Sequence, residues 1–173
     1  MENKNPILWD LYDARDHRRV GTHPKGLPVP QGFYHIAVEV IVTDFNGHLL
    51  VLRRALTKKR APGMWEFPGG SVLAGENPSV AVKRVLKQKT GLQASEVQLL
   101  QKAFTSGLLR LIYYAHVPEL LSETIVIDES DTCDHAVITP RRWFYMLTNS
   151  LYTHSHSRFY RKPVFEFIDN MID

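Results

Sequence analysis

The apolar positions change period along the chain. In residues 33–44, FYHIAVEVIVTD, β-branched residues alternate with others, which predicts a strand. Phe45-Asn46-Gly47 carries the Asn-Gly hairpin signal, so HLLVLRRA, residues 48–55, is read as the returning strand. MWEF, residues 64–67, predicts a short strand that Pro68-Gly69-Gly70 breaks. The period then becomes helical. Val82, Val85 and Leu86 form one apolar stripe. Asn77 offers an N-cap side chain, Pro78 suits the first helical position and Gly91 marks the stop. VQLLQKAF and LLRLIYYAHV predict two further strands, and ETIVI, residues 123–127, another. Residues 140–147 read as a short helix, and 157–172 as a C-terminal helix kinked at Pro163. Near residues 7–12 the pattern gives a short strand or extended arm, followed by a loop.

Strands mixed with a few helices predict an α/β domain, a mixed β-sheet sandwiched between α-helices. A length of 173 residues is expected to make one domain, 1–173, with an arm over 1–32 and a core over 33–173. Neither repeats nor low-complexity tracts interrupt it.

Composition narrows the function classes. A net charge of +3 fits anionic ligands. No stacking or groove-reading motif accompanies it, which argues against a nucleic-acid partner. The single cysteine, Cys133, excludes an internal disulfide and a zinc knuckle. The first residues are too polar for a signal peptide, and no apolar run approaches the roughly 20 residues of a membrane span. The expectation is a cytoplasmic protein without a membrane partner.

The chemistry concentrates in GGSVLAGENPSVAVKRVLKQKTGL, residues 69–92. This stretch resembles the box of the Nudix hydrolases, G-x5-E-x7-R-E-U-x-E-E-x-G-U with U aliphatic. Gly70, Glu76, Arg84 and Gly91 fall on the box's glycine, glutamate, arginine and second glycine, and Leu86 and Leu92 on aliphatic positions. Flanking runs WDLYD, QGFYH, LRRALTKK, PGMWEFPGGSVLAGE and SDTCDHAVIT resemble the Nudix subfamily related to isopentenyl-diphosphate isomerase. The resemblance implies the Nudix fold and hydrolysis of nucleoside diphosphates linked to another moiety. It also implies three helix glutamates on one face holding Mg²⁺ against the diphosphate.

Those three positions are here Val85, Gln88 and Lys89. Valine offers no ligand, and glutamine one neutral carbonyl. A unit like-charge repulsion at 4 Å costs about 4 kcal/mol at an effective dielectric near 20, so Lys89 in the same place would repel the metal. The frame is kept while the metal face is degraded. The expected function is therefore nucleotide or diphosphate binding, with hydrolysis lost or weak.

Alternatives stay open. Glu76 and Arg84 brace loop against helix in the family, or Glu76 serves as a metal ligand and catalytic carboxylate. Asp131, within the acidic run IDESDTCD, aligns with a carboxylate that could complete a Mg²⁺ site; otherwise that run is a solvated loop. An active metal-dependent pyrophosphohydrolase would use Glu76 and Asp131, whereas a pure binder needs no cofactor. Arg54 and Lys58 match subfamily positions and are expected to grip phosphates, with Lys89 replacing the metal as phosphate partner. Isomerase chemistry is less expected, because Cys133 lies where that reaction's cysteine is not found; a small buried residue is its commoner role. Trp65, Tyr113, Tyr114 and Phe104 either stack on a base or pack in the core. His154 and His156 read as exposed polar residues. Aromatics near Trp9 and Tyr12, taken as exposed, motivate a further reading as an interaction module or homodimer.

Overall fold

The computed structural model describes residues 6–153 and 163–170. The expected helix over 157–172 is described only as α3, Pro163–Asp169. His154 and His156 lie outside the described residues.

The sheet is organised around β3, Phe33–Thr43. It pairs in parallel with β8, Leu108–His116, from His35↔Leu108 to Thr43↔His116. β7, Gln98–Thr105, pairs antiparallel with β8. On the other side β3 turns through Asn46-Gly47 into β4, Leu49–Arg54. Asp44 secures that turn by accepting the backbone N–H of Asn46 and of His48, each at 2.9 Å. β4 pairs antiparallel with β5, Trp65–Glu66, and β9, Thr132–Ile138. Parallel and antiparallel pairs thus share one mixed sheet of nine strands among the described residues.

Period-2 alternation divides the core between the two faces of this sheet. Val38, Val40, Val42, Leu50 and Leu52 pack with Ala81, Val82, Val85 and Leu86 of α1, Pro78–Thr90. Ile41, Leu49, Val51 and Ile112 pack with Trp143 and Met146 of α2, Pro140–Thr148, and with Val164 and Ile168 of α3. Helices therefore cover both faces, as expected of a mixed sheet between helices.

The ends of α1 follow its residues. Asn77 accepts from the Ser79 N–H at 2.9 Å, and Gly91 adopts φ 75° and returns its N–H to Lys87 at 2.9 Å.

Four local expectations need correction. The segment after β1, Leu8–Asp13, is a strand rather than a loop: β2, Arg19–Pro24, pairs antiparallel with β1. The arm is thus a hairpin, and β1 joins β3 through Tyr12↔Tyr34 and Asp13↔Phe33. Pro68-Gly69-Gly70 leads into a short strand, β6, Gly69–Ser71, antiparallel to β3. A Cβ at Gly69 would sit 3.0 Å from the Val38 carbonyl oxygen, so a larger residue there would push the two strands slightly apart. ETIVI forms no strand; the Val126 N–H instead bonds to Thr90 O at 2.9 Å, which ties this segment to the end of α1. Finally, much of the acidic run's C-terminal half is strand β9, against β4.

The hairpin also reaches the loop before α1. Leu8 O accepts from Ala74 N at 2.9 Å, and Asp10 Oδ2 accepts from Gly75 N at 2.8 Å.

Candidate functional site

Glu76 and Arg84 meet across the turn from loop to helix. Arg84 Nε donates to Glu76 Oε1 at 2.6 Å and Nη2 to Oε2 at 2.7 Å, a two-pronged bond. The same Nη2 reaches Ser71 O at 3.0 Å, and the Leu73 N–H donates to Glu76 Oε2 at 2.9 Å. Bonds from Arg84 hold the Glu76 carboxyl below its ordinary range, against the upward push of burial and with help from the Leu73 amide. Both carboxylate oxygens are engaged in bracing the loop.

The face of α1 expected to carry metal ligands has a different content. Val85 is 3% exposed and belongs to the core; a Cβ at Gly70 would lie 2.9 Å from its Cγ2. Gln88 is exposed and accepts from Arg84 Nη1 at 3.0 Å. Lys89 donates through Nζ to Asp131 Oδ2, while Lys58 Nζ pairs with Asp131 Oδ1. Burial pushes the Asp131 carboxyl up, but the charge of Lys89 and the bonds from Lys58 and Lys89 outweigh it and hold it at about 2. Three residues singled out in separate parts of the sequence therefore form one cation–anion–cation bridge. β9 supplies the convergence, because its pairing with β4 brings Asp131 to the Arg54–Lys58 end, and Ala55 N bonds to Asp131 O at 3.0 Å.

This donor set does not fit Mg²⁺. Mg²⁺ is octahedral and is held through one or two free carboxylates together with waters and substrate phosphates. Here Glu76 is clamped by a guanidinium and Asp131 by two ammonium groups. Among the described residues no group of three or more His, Cys, Asp or Glu side chains could hold a metal ion.

Beside Lys89 opens a cavity of about 420 Å³. Its wall includes Gly69, Gly70 and Ser71 of the box loop, together with Arg54, Arg60 and Arg110. Arg54 is oriented by Glu66, Nη1 to Oε2 at 2.7 Å, and by Arg60 O at 3.0 Å. Of the expected phosphate grips, Arg54 and Lys89 line the cavity, while Lys58 reaches it only through the Asp131 bridge.

Glu39 and Arg110 are among the lining residues that the sequence reading did not single out. Glu39, on β3, is 2% exposed and its Oε2 faces Arg110 Nη1 at 3.4 Å. Burial pushes its carboxyl up to about 8; Arg110 opposes this and Glu66 adds to it. The apolar runs Ile36-Ala37-Val38 and Val40-Ile41-Val42 on either side of Glu39 are the one signal in the sequence that both faces of this strand are covered. Arg110 lies opposite Ala37 across the β3–β8 pairing and so shares the Glu39 face.

Other expectations resolve differently. Cys133 is exposed rather than buried, with Sγ donating to Arg54 O at 3.3 Å. Trp65, Tyr113, Tyr114 and Phe104 are absent from the cavity wall. Trp9 is 8% exposed and stacked on His35 at 3.8 Å, and Tyr12 stacks on Tyr34 at 5.4 Å. Trp9 is thus buried and Tyr12 half-buried rather than exposed. No helix among the described residues is long and apolar enough to cross a membrane.

Comparisons with known proteins agree with this architecture. The chain is similar to an uncharacterised Nudix hydrolase of Listeria innocua, 31% identical over 85 residues, which are 49% of this chain and 50% of that protein. It thus spans about half the length of that relative. It is also similar to an isopentenyl-diphosphate Δ-isomerase of Serratia proteamaculans, 32% identical over 114 residues, 65% of this chain and 58% of that one. In fold it resembles DR0079 of Deinococcus radiodurans, with a TM-score of 0.71 at 16% identity, covering 96% and 99% of the two chains. It also resembles the NUDIX domain of Shewanella oneidensis NrtR complexed with ADP ribose, with a TM-score of 0.64 at 15% identity, covering 87% and 94%. The NUDIX domain family model matches residues 33–161, from the start of β3 past the Lys89–Asp131 bridge, and the chain belongs to the Nudix family.

Proposed function

We propose that this Nudix-family chain binds a nucleotide or another diphosphate without a metal ion and hydrolyses it weakly or not at all. The observation that carries the reading is the Lys58–Asp131–Lys89 bridge beside the box loop. It puts two ammonium groups where the family resemblance implies a metal, next to a cavity that Arg54, Arg60 and Arg110 also line. Ammonium and guanidinium groups bind phosphate oxygens through charge-assisted bonds and need no metal to do so. A diphosphate entering the cavity exchanges with Asp131 for the two lysines. The kept Glu76–Arg84 brace supports the reading, because it preserves the loop that shapes the cavity wall.

Isothermal titration of Mg²⁺ and Mn²⁺ into the protein, with and without ADP-ribose, tests this. The expected result is no metal uptake and ADP-ribose binding that Lys89→Ala weakens at least tenfold. Tight metal uptake with turnover that Glu76→Gln abolishes would favour the metal-dependent hydrolase instead. Unchanged affinity in Lys89→Ala would overturn the proposed phosphate contact.

A further inference from the structure

A second concavity, a groove of about 480 Å³, lies between α2 and α3 and shares no lining residue with the cavity beside Lys89. Trp143 and Ile168 are its buried lining residues. Phe144 and Phe165 also line it, with ring centroids 5.4 Å apart. The outward face of α2 is aromatic as well: Phe144 is 46% exposed and Tyr145 49%. A surface helix ordinarily turns polar side chains to that side, and contiguous apolar surface marks a contact with another molecule.

Charge around the groove is segregated. α2 contributes Arg141 and Arg142 and no acid, whereas α3 contributes Glu166 and Asp169 and no base. Arg142 lies over the Tyr145 ring at 5.0 Å, while Arg141 and Asp169 both line the groove. No ion pair among the described residues involves either helix. One wall is therefore basic and the other acidic, and neither neutralises the other. A twofold axis through the groove lays α2 of one copy over α3 of the other, basic on acidic, and does so twice. An isologous contact requires such a self-complementary patch. Shape agrees with charge, because Phe144 both lines the groove and projects from it. Projection and recess in one patch close on a pair; on separate surfaces they would build an open chain.

We propose that the α2–α3 groove is the interface of a twofold homodimer, with Arg141 of each copy against Asp169 of the other and the Phe144 rings packed between the helices. The inference stands apart from the diphosphate reading, since groove and cavity have separate linings.

Sedimentation equilibrium of the unaltered protein at pH 7, from about 1 to about 200 µM, tests it over the affinities of small interfaces. The mass is expected to rise from the chain's 19.9 kDa to twice that value and stop there. A mass that stays at 19.9 kDa throughout, or one that climbs past the dimer, overturns the proposal. Arg141→Asp and Asp169→Arg are each expected to weaken association at least tenfold, because each sets like charges together twice per dimer. The double variant restores opposite charges and is expected to return to within about threefold of the parent. Both positions are exposed, where substitutions ordinarily leave the fold intact. Single variants that associate like the parent, or a double variant no better than the singles, overturn this interface. Hydrogen exchange of the unaltered protein locates the contact without variants. Slower exchange in Pro140–Thr148 at high concentration is expected, and slowing confined to other segments overturns the assignment.

Discussion

Lys89 and Asp131 stand 42 residues apart in the chain, and the ammonium of the first donates to the carboxylate of the second. Lys58 engages the other oxygen, so one carboxylate restrains two cations. Asp131→Asn should act in opposite directions on folding and on binding. The carboxyl sits at about 2 in the folded chain against an ordinary value of 3.8. A depressed carboxylate stabilises the fold above its unfolded value, and the contribution is lost as pH falls from near 3.8 towards 2. The variant is expected to be about 1–2 kcal/mol less stable at pH 7, after allowing for partial exposure. Urea denaturation should show this gap shrinking below pH 4. Pyrophosphate, by contrast, should bind several-fold tighter to the variant, because both lysines are released. Weaker binding would mean that Asp131 orients the lysines for the ligand.

Val85 tests whether the lost glutamate could simply be restored. Its side chain is 3% exposed and packs on Gly70, where a glutamate would be buried among apolar neighbours. Val85→Glu is expected to cost about 3 kcal/mol or more. The loss should be smaller at pH 5 than at pH 8, since a buried carboxyl escapes part of the penalty by keeping its proton. Thermal denaturation at the two pH values measures it. A variant as stable as the parent would show that this part of α1 can open.

Glu76→Gln should loosen the box loop, part of which lines the cavity. It forfeits the charge in a two-pronged bond that Arg84 makes at 2.6 and 2.7 Å. The expected loss is about 1–3 kcal/mol by chemical denaturation. Arg84→Lys keeps the charge but loses the fork, and is expected to cost about as much. If Arg84→Lys were neutral, the brace would be Coulombic rather than geometric.

Glu39 gives a stability prediction of opposite pH sense to Asp131. A carboxyl raised from 4.5 to about 8 binds a proton in the folded chain that the unfolded chain has already released. Stability therefore declines as pH rises from near 4.5 to 8, and levels off above that. Glu39→Gln has no such titration. It should gain on the parent across that window by on the order of a few kcal/mol. Denaturation series at pH 5, 6.5 and 8 would show the gap widening. A constant gap would mean that Glu39 is ionised in the folded protein.

Much of this arrangement was legible in the chain. The alternation of residues 33–44 became β3, and Asn77, Pro78 and Gly91 delimited α1 as their local chemistry dictates. Lys89, Asp131, Arg54 and Lys58 were singled out separately, but no local pattern says that they meet; β9 pairing with β4 does that. β2 went unread because RVGTHP contains one aliphatic residue and ends in proline, leaving no period to detect. TCDHAVI reads as loop at its charged end and becomes strand only because β4 offers it a partner. Glu39 is the instructive omission. Within a strand pattern a glutamate reads as the solvent side, yet its face is covered by the elements that pack around Ile41 and Phe67.

The bonds from Leu8 and Asp10 to Ala74 and Gly75 give the N-terminal hairpin a role that the family match does not cover. The matched span starts at residue 33, but two amides of the box loop find their acceptors in residues before it. The contacts that hold the box loop therefore reach beyond the segment shared with the family. Protein trimmed to the matched span would keep every box residue and lose the clasp that shapes its loop. It would be a poor specimen in which to judge what the cavity binds.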